Sequence, residues 1–161
     1  MELRQAQAAD FEQIVAINLA EEQQTSPMDV PRLQELHALA AYHKVAVLEG
    51  KLVGFLLAMS DAAAYRNDNF EWFAARYPRF VYVDRIVISA DSGGRGLGGK
   101  FYADLFDFAR DQGASVVSCE FNLEPPNEVS AAFHRKWGFS EVGTQRVAND
   151  SKLVSLQVAT L

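Results

Sequence analysis

The feature that most constrains this chain is a glycine-rich segment, "SGGRGLGGKF", at residues 92–101. It follows a β-branched stretch at residues 80–89 and leads into an amphipathic pattern at residues 97–113. A glycine-rich turn between a strand and a helix directs backbone N–H groups and the helix N-terminus towards an anionic group such as a phosphate. The segment therefore predicts an α/β fold that binds a phosphate-bearing ligand.

Three phosphate-binding patterns fit this segment. Gly94, Gly96 and Gly99 match a dinucleotide fingerprint, and Gly94, Gly99 and Lys100 match most of a nucleotide P-loop. Gly96 and Gly98 match the core of an acyl-CoA loop. A P-loop needs a serine or threonine hydroxyl for magnesium after its lysine, and Phe101 offers none. A dinucleotide-binding sheet needs further βα units, but the 39 residues after Asn122 predict only a helix and two strands. The surrounding sequence therefore favours the acyl-CoA loop.

The whole chain predicts one mixed α/β domain over residues 1–161, without a repeat or a linker. Asp10 is placed to cap a first helix, with Gln13 in the capping-box position. Two apolar runs around the turn at residues 49–51 predict an antiparallel hairpin. The remaining predicted elements are a strand at 1–6, a helix at 32–42, a short helix within an insert at 62–79, strands at 80–89 and 115–122, helices at 97–113 and 126–138, and final strands at 140–147 and 152–161.

Composition excludes several classes of protein. The net charge of -6 and the pI near 5.0 argue against a nucleic-acid-binding surface. Because no apolar run reaches the roughly 18 residues that span a bilayer and no signal-peptide pattern opens the chain, we expect no membrane insertion. Cys119 is the single cysteine, which favours a reducing cytoplasm, and the scattered histidines lack the spacing of metal ligands. We expect no metal.

Two segments at the right separation carry a resemblance to a known family. "YVDRIVISADSGGRGLGGKF" resembles motif A of the GNAT superfamily of acetyl-CoA-dependent N-acetyltransferases, and "NEVSAAFHRKWGF" resembles its motif B. The residues that match motif B are Asn127, Ser130, Phe133, His134, Gly138 and Phe139. The resemblance implies a GNAT-like fold: a mixed, mostly antiparallel central sheet with a splayed pair of central strands, flanked by helices.

The resemblance also implies where acetyl-CoA lies, with its pantetheine arm between the two splayed strands and its pyrophosphate on the glycine loop. The residues expected to contact it are Ile86, Val87, Ile88, Gly93, Gly94, Arg95, Gly96, Leu97, Gly98, Gly99, Asn127, Ser130, Phe133, His134 and Lys136. Gly93 stands where the family usually has Gln or Arg, and Arg95 is placed to supply the missing donors.

Acetyl transfer to an amine needs a proton acceptor for the amine and a proton donor for the leaving thiolate. Asp84 and Glu120 lie on the two central strands and are the candidate bases. The alternatives are a salt bridge between Asp84 and Arg85, and a solvated sheet edge for Glu120. His134 replaces the usual tyrosine of motif B and is the candidate acid, the alternative being a histidine that only packs on the helix surface.

The acceptor pocket is the part that the sequence describes least. By resemblance it is formed by the first two helices and by the insert, which indicates Glu22, Tyr65, Trp72 and Phe73. The alternative for each ring is that it covers an edge of the core. We expect an N-acetyltransferase that moves an acetyl group from acetyl-CoA to a primary amine, a small molecule rather than a protein, by direct attack. The alternative function is a non-catalytic acyl-CoA-binding module, and exposed edge strands would allow a homodimer.

Overall fold

A computed structural model of the chain describes residues 1–21 and 25–161, and their regular elements agree closely with the predicted order. The strands are β1 (Glu2–Gln5), β2 (Tyr42–Leu48), β3 (Lys51–Ser60), β4 (Phe80–Ile88), β5 (Val116–Glu124), β6 (Ser140–Val147) and β7 (Lys152–Thr160). The helices are α1 (Phe11–Ala20), α2 (Val30–Leu39), α3 (Asp68–Ala74), α4 (Leu97–Asp111) and α5 (Glu128–Lys136). No described helix is long and apolar enough to cross a membrane.

The described strands form one seven-stranded sheet in the order β1-β2-β3-β4-β5-β7-β6. Every neighbouring pair is antiparallel except β4 and β5, which run parallel at the centre of the sheet. The predicted mixed and mostly antiparallel sheet is therefore confirmed.

The two central strands separate along their length. They pair only at their first residues, the last matched positions being Tyr82 and Ser118. Just beyond this point β4 contains a bulge, because Val83 lies opposite Ala58 while Arg85 lies opposite Leu57, which leaves Asp84 as the extra residue. A bulge bends the strand that contains it and increases its twist. The bulge therefore accounts for the divergence of β4 from β5, and it confirms the splayed pair.

Each face of the sheet is covered by its own apolar layer. Phe80 and Tyr82 face one layer with α1, α2 and α3, and Val81 and Val83 face the other with α4. On α4, side chains at helical spacing are buried against the sheet: Leu97, Phe101, Leu105 and Ala109. Because successive side chains on a strand point to opposite faces, Glu120 on β5 faces away from the layer with α4, to which its neighbour Cys119 belongs.

One predicted helix cap was wrong in detail. The Asp10 side chain does not cap α1. It accepts hydrogen bonds from the Gln7 backbone N–H and from the Arg4 guanidinium, which closes a short 3-10 turn ahead of the helix. The first helix follows Asp10 as predicted, but the ion pair of Asp10 with Arg4 depends on the neighbouring strand β1.

Candidate active site

The divergence of β4 and β5 opens a cavity of about 860 Å³ that passes from the glycine loop to the end of the sheet near α3. Its volume is within the range of small-molecule sites. The loop and the first turn of α4 form one end, α5 forms a wall, and polar residues that follow α1 and begin α3 form the other end. The local origin of the site is thus the bulge at Asp84, since that bulge ends the pairing of the central strands.

The end of the cavity at the glycine loop contains most of the predicted acyl-CoA residues: Ile86, Val87, Ile88, Gly93, Gly94, Gly96, Leu97, Gly98, Gly99, Asn127, Ser130, Phe133 and His134. Arg95 and Lys136 are exposed and do not line it. Two glycines meet conformational demands. Gly96, at the N-cap of α4, has a φ of 72°, and a Cβ on Gly98 would lie 3.0 Å from the Phe133 ring.

This end offers backbone groups to a ligand. The N-cap residue of α4, Gly96, has no side chain with which to cap the helix, and beyond Tyr82 the edge of β4 has no matched partner on β5. N–H groups at a helix N-terminus bind anions, and a free strand edge binds extended chains. Asn127 has a structural task as well, since its side-chain oxygen caps α5 by accepting from the Ser130 N–H.

Glu120 lies on β5 at the middle of the cavity and is partly exposed to it. The Tyr82 hydroxyl lies 2.8 Å from one carboxyl oxygen of Glu120 and 2.9 Å from the other. The pKa of the Glu120 carboxyl is raised to about 8: burial is the largest cause, Asp84 acts in the same direction, and the Tyr82 hydroxyl opposes the shift. A carboxyl group with this pKa can exchange protons near neutral pH.

Asp84 has a different environment from Glu120. Its carboxylate lies 2.8 Å from Arg85 Nε in a buried ion pair and also accepts a hydrogen bond from the Tyr65 hydroxyl. The remaining guanidinium nitrogens of Arg85 donate to the side-chain oxygen of Asn18 and to the backbone and side chain of Ser26. The salt-bridge alternative is the arrangement that the structure shows, and it ties β4 to α1 and the segment after it.

His134 is buried on α5, with both ring nitrogens in hydrogen bonds. Nδ1 lies 2.7 Å from the Ser130 carbonyl oxygen, which can only accept, so Nδ1 carries the proton. In the neutral ring Nε2 is then an acceptor, and the Tyr102 hydroxyl donates to it over 2.6 Å. Burial lowers the pKa of His134 and raises that of Tyr102, so both groups are neutral near pH 7. His134 is therefore not placed as a free imidazolium donor.

Three of the predicted acceptor residues lie in the part of the chain that the structure describes, and none of these three lines the cavity. Phe73 is fully buried in the core, Tyr65 is buried against Asp84, and Trp72 packs under Arg76. Glu22 lies outside the described residues. The side chains that line this end are instead mostly polar or charged: Glu21, Thr25, Ser26, Asn67, Asp68, Asn69 and Lys152. The insert thus contributes its asparagines and Asp68 to the cavity, and its rings to the core.

Tyr82, Tyr102 and Asn69 are among the site residues that the sequence did not predict. Tyr82 could have been found, because it lies two residues before Asp84 on one strand and so precedes it on the same face. Tyr102 belongs to the apolar pattern of α4. The neighbouring sequence does not distinguish a tyrosine whose hydroxyl bonds to His134 from an aromatic ring that only packs in the core. Asn69 depends on the docking of α3 onto the sheet, which has no local signal. Among the described residues, no three His, Cys, Asp or Glu side chains cluster as metal ligands do.

Comparison with known proteins decides the family. Residues 2–139 match the family model described as "Acetyltransferase (GNAT) family". The chain belongs to the GNAT family. In this family, its relatives include glucosamine 6-phosphate N-acetyltransferase 1 of Oryza sativa, which is 32% identical over 71% of this chain and 63% of the relative. Phosphinothricin N-acetyltransferase of Streptomyces coelicolor is 36% identical over 38% of this chain and 34% of the relative.

Solved structures show the GNAT fold independently. A Salmonella typhimurium protein, solved with its cofactor acetyl-CoA, superposes with a TM-score of 0.74 at 21% identity. The match covers 100% of this chain and 94% of that one. The chain therefore shares the fold over its whole length, whereas it aligns with less than two thirds of the length of either curated relative.

Proposed function

We propose that this GNAT protein transfers the acetyl group of acetyl-CoA to a primary amine, by direct attack within a ternary complex. The observation that carries the proposal is that one cavity joins the glycine loop to the Glu120 carboxyl group. Acetyl-CoA supplies the acetyl thioester. An enzyme that holds donor and acceptor in a single cavity can accelerate transfer by bringing the reacting groups together.

The glycine-loop end of the cavity is suited to the CoA portion of the donor. The uncapped N-terminus of α4 offers N–H groups to the pyrophosphate, and the free β4 edge at Ile86–Ile88 offers backbone groups to the pantetheine amides. Phe133 lies directly against Gly98 and closes one side. Arg95 in the glycine-rich segment and Lys136 at the end of α5 are exposed, and both remain proposed contacts of the CoA phosphates.

Glu120 is the proposed base. The amine nitrogen bonds to the acetyl carbon as the carbon–sulfur bond breaks, its proton passes to the Glu120 carboxylate, and the CoA thiolate then takes a proton to leave as the free thiol. The pKa of Glu120, about 8, lies close to the ordinary 8.5 of a thiol. Glu120 is therefore suited to accept the amine proton and then return it to the sulfur. Asp84 has the supporting role of holding Arg85.

Tyr102 and His134 form the second proposed catalytic element. Both line the cavity, together with Cys119 and Glu120 of β5. We assign the Tyr102 hydroxyl as a hydrogen-bond donor to the leaving sulfur, with His134 holding that hydroxyl while the site is at rest. This replaces the direct proton donation expected of His134, because both nitrogens of its ring are occupied.

The proposed acceptor is a small molecule with a primary amine. Glu21 and Asp68 line the end of the cavity near α3 and would attract a cationic amine, and Lys152 adds one positive charge there. The two curated relatives are named for small acceptors, glucosamine 6-phosphate and phosphinothricin. A cytoplasmic location suits the buried thiol of Cys119, and pairing through the outer strands β1 and β6 would give a homodimer.

Thermal unfolding in the presence of acetyl-CoA, NAD or Mg-ATP tests the donor. A ligand at about 100 times its dissociation constant adds about 2.7 kcal/mol, which raises the melting temperature by several degrees. We expect stabilisation by acetyl-CoA alone. Stabilisation by NAD alone would overturn the acyl-CoA site. Stabilisation by acetyl-CoA without transfer to any amine in a broad panel would favour the alternative function, a non-catalytic acyl-CoA-binding module.

A further inference from the structure

We infer that Asn69 is a positioning residue for the proposed base Glu120, and that Gln145 on the outermost strand β6 fixes the orientation of the Asn69 amide. The inference rests on the proposed function of Glu120. It gives the insert between β3 and β4 a task in the reaction that its aromatic side chains, which are packed in the core, do not perform.

The observation that carries the inference is a chain of side-chain amides. Asn69 lies in the first turn of α3, is only 7% exposed, and lines the cavity. Gln145 Nε2 donates to Asn69 Oδ1 over 3.1 Å. An amide whose oxygen accepts on one side directs its N–H₂ group to the other.

Glu120 lines the same cavity as Asn69. The Asn69 amide acts on the Glu120 carboxyl group as a donor and lowers its pKa, against the upward effect of burial. A donor stabilises the ionised form, which is the form that a base needs. If the Asn69 amide were reversed, its oxygen would face the carboxylate and destabilise that form. Gln145 therefore determines which effect Asn69 has.

The other described groups that act on Glu120 lie on β4, α4 and β5. From β4, Tyr82 and Arg85 lower its pKa and Asp84 raises it. Two buried groups interact with Glu120 electrostatically from α4 and from β5 itself, Tyr102 and Cys119. Replacement of Asn69 or Gln145 leaves all five of these groups in place, so the contribution of the amide pair can be measured separately.

The test compares rate against pH for the wild type and for Asn69→Leu and Gln145→Leu, with Gln13→Leu as the matched control at an exposed position on α1. In Asn69→Leu we expect the acidic limb of kcat/KM to move to higher pH by about one unit or more, with the alkaline plateau largely kept. In Gln145→Leu the limb moves in the same direction by less, because the amide is retained but no longer oriented. The control keeps the wild-type profile.

Carboxyl NMR of glutamate-labelled protein, with Glu120→Gln to assign the signal, measures the same pKa without any acceptor. An upward shift of the Glu120 titration in both variants supports the inference even if no amine is acetylated, which would count against the proposed function alone. An unchanged Glu120 titration in both folded variants overturns it. A rate that falls equally at every pH also overturns it, since that result indicates a merely structural role.

Discussion

The Tyr102 hydroxyl lies 2.6 Å from His134 Nε2 and joins α4 to α5 across the wall of the cavity. The position on α5 that most strongly suggested a proton donor is thus occupied by a neutral acceptor, and the hydroxyl comes from the neighbouring helix. His134 stands where motif B usually has a tyrosine, and in this chain the cavity obtains a tyrosine hydroxyl from Tyr102 on α4 instead.

Breaking this pair has consequences for stability and for rate. Tyr102→Phe leaves His134 Nε2 without its donor in a buried setting, and His134→Leu leaves the Tyr102 hydroxyl unpaired, so each costs about 1–3 kcal/mol of unfolding free energy. The double variant should lose less than the sum of the two, by about 1 kcal/mol, as residues in direct contact do. Urea unfolding measures both effects.

For the rate, we expect Tyr102→Phe to lower kcat by about 10-fold or more with little change in the KM for acetyl-CoA, because the donor acts on the leaving sulfur. Unchanged kcat in the folded variant would remove Tyr102 from the proposed chemistry and leave it a structural partner of His134.

Replacement of Asp84 should affect stability before chemistry. Asp84→Asn removes the charge that balances the buried Arg85 guanidinium, whose other hydrogen-bond partners among the described residues are the neutral Asn18 and Ser26. Loss of one member of a buried ion pair costs about 3–5 kcal/mol. The midpoint of chemical denaturation should fall accordingly. A variant as stable as the wild type but inactive would instead identify Asp84 as the base.

The rate should depend on the ionisation of Glu120. Since its pKa is about 8 and the base acts in its deprotonated form, kcat/KM should rise with pH through that value and level off above it. The measurement uses an acceptor amine whose own pKa lies below neutrality. The amine is then uncharged throughout, and the pH dependence of kcat/KM reflects the ionisation of the enzyme. A profile that is flat across this range would contradict the assignment of Glu120.

The free energy of unfolding should decrease in acid because of a pair of histidines away from the cavity. His37 and His43 lie with their Nδ1 atoms 2.8 Å apart, and burial lowers the pKa of His43 from the ordinary 6.5 to about 4. Because the unfolded chain binds the proton more readily, this stability is present above pH 6.5 and is lost as the pH falls towards about 4. The loss amounts to as much as about 3 kcal/mol.

Replacement of His43 tests this linkage. In His43→Leu the decline of unfolding free energy over the same pH interval should be smaller than in the wild type, measured by urea titration at several pH values. An equally steep decline would show that other groups cause it.

The sequence predicted the elements of the fold better than the contacts within the site. Alternating apolar residues and the glycine loop located β4, α4 and β5 because these signals are local. The mutual arrangement of Tyr82, Glu120 and Asn69 is not local, since it depends on how far β4 diverges from β5 and on where α3 docks. The difference between Asp84 and Glu120 has the same origin: Asp84 forms an ion pair with Arg85, and Glu120 accepts from the Tyr82 hydroxyl.

Acyl transfer by wild-type protein and by Glu120→Gln tests whether Glu120 is the base of an acetyl transfer to an amine. Free thiol and acetylated amine are followed together, with acetyl-CoA and a panel of small primary amines. We predict amine-dependent release of thiol, equal in amount to the acetylated product, and a kcat that is lower by about 10²–10⁴-fold in Glu120→Gln while acetyl-CoA still stabilises that variant. Undiminished turnover by Glu120→Gln would contradict the role of Glu120 as the base, and no amine-dependent release of thiol by the wild type would contradict acetyl transfer to an amine.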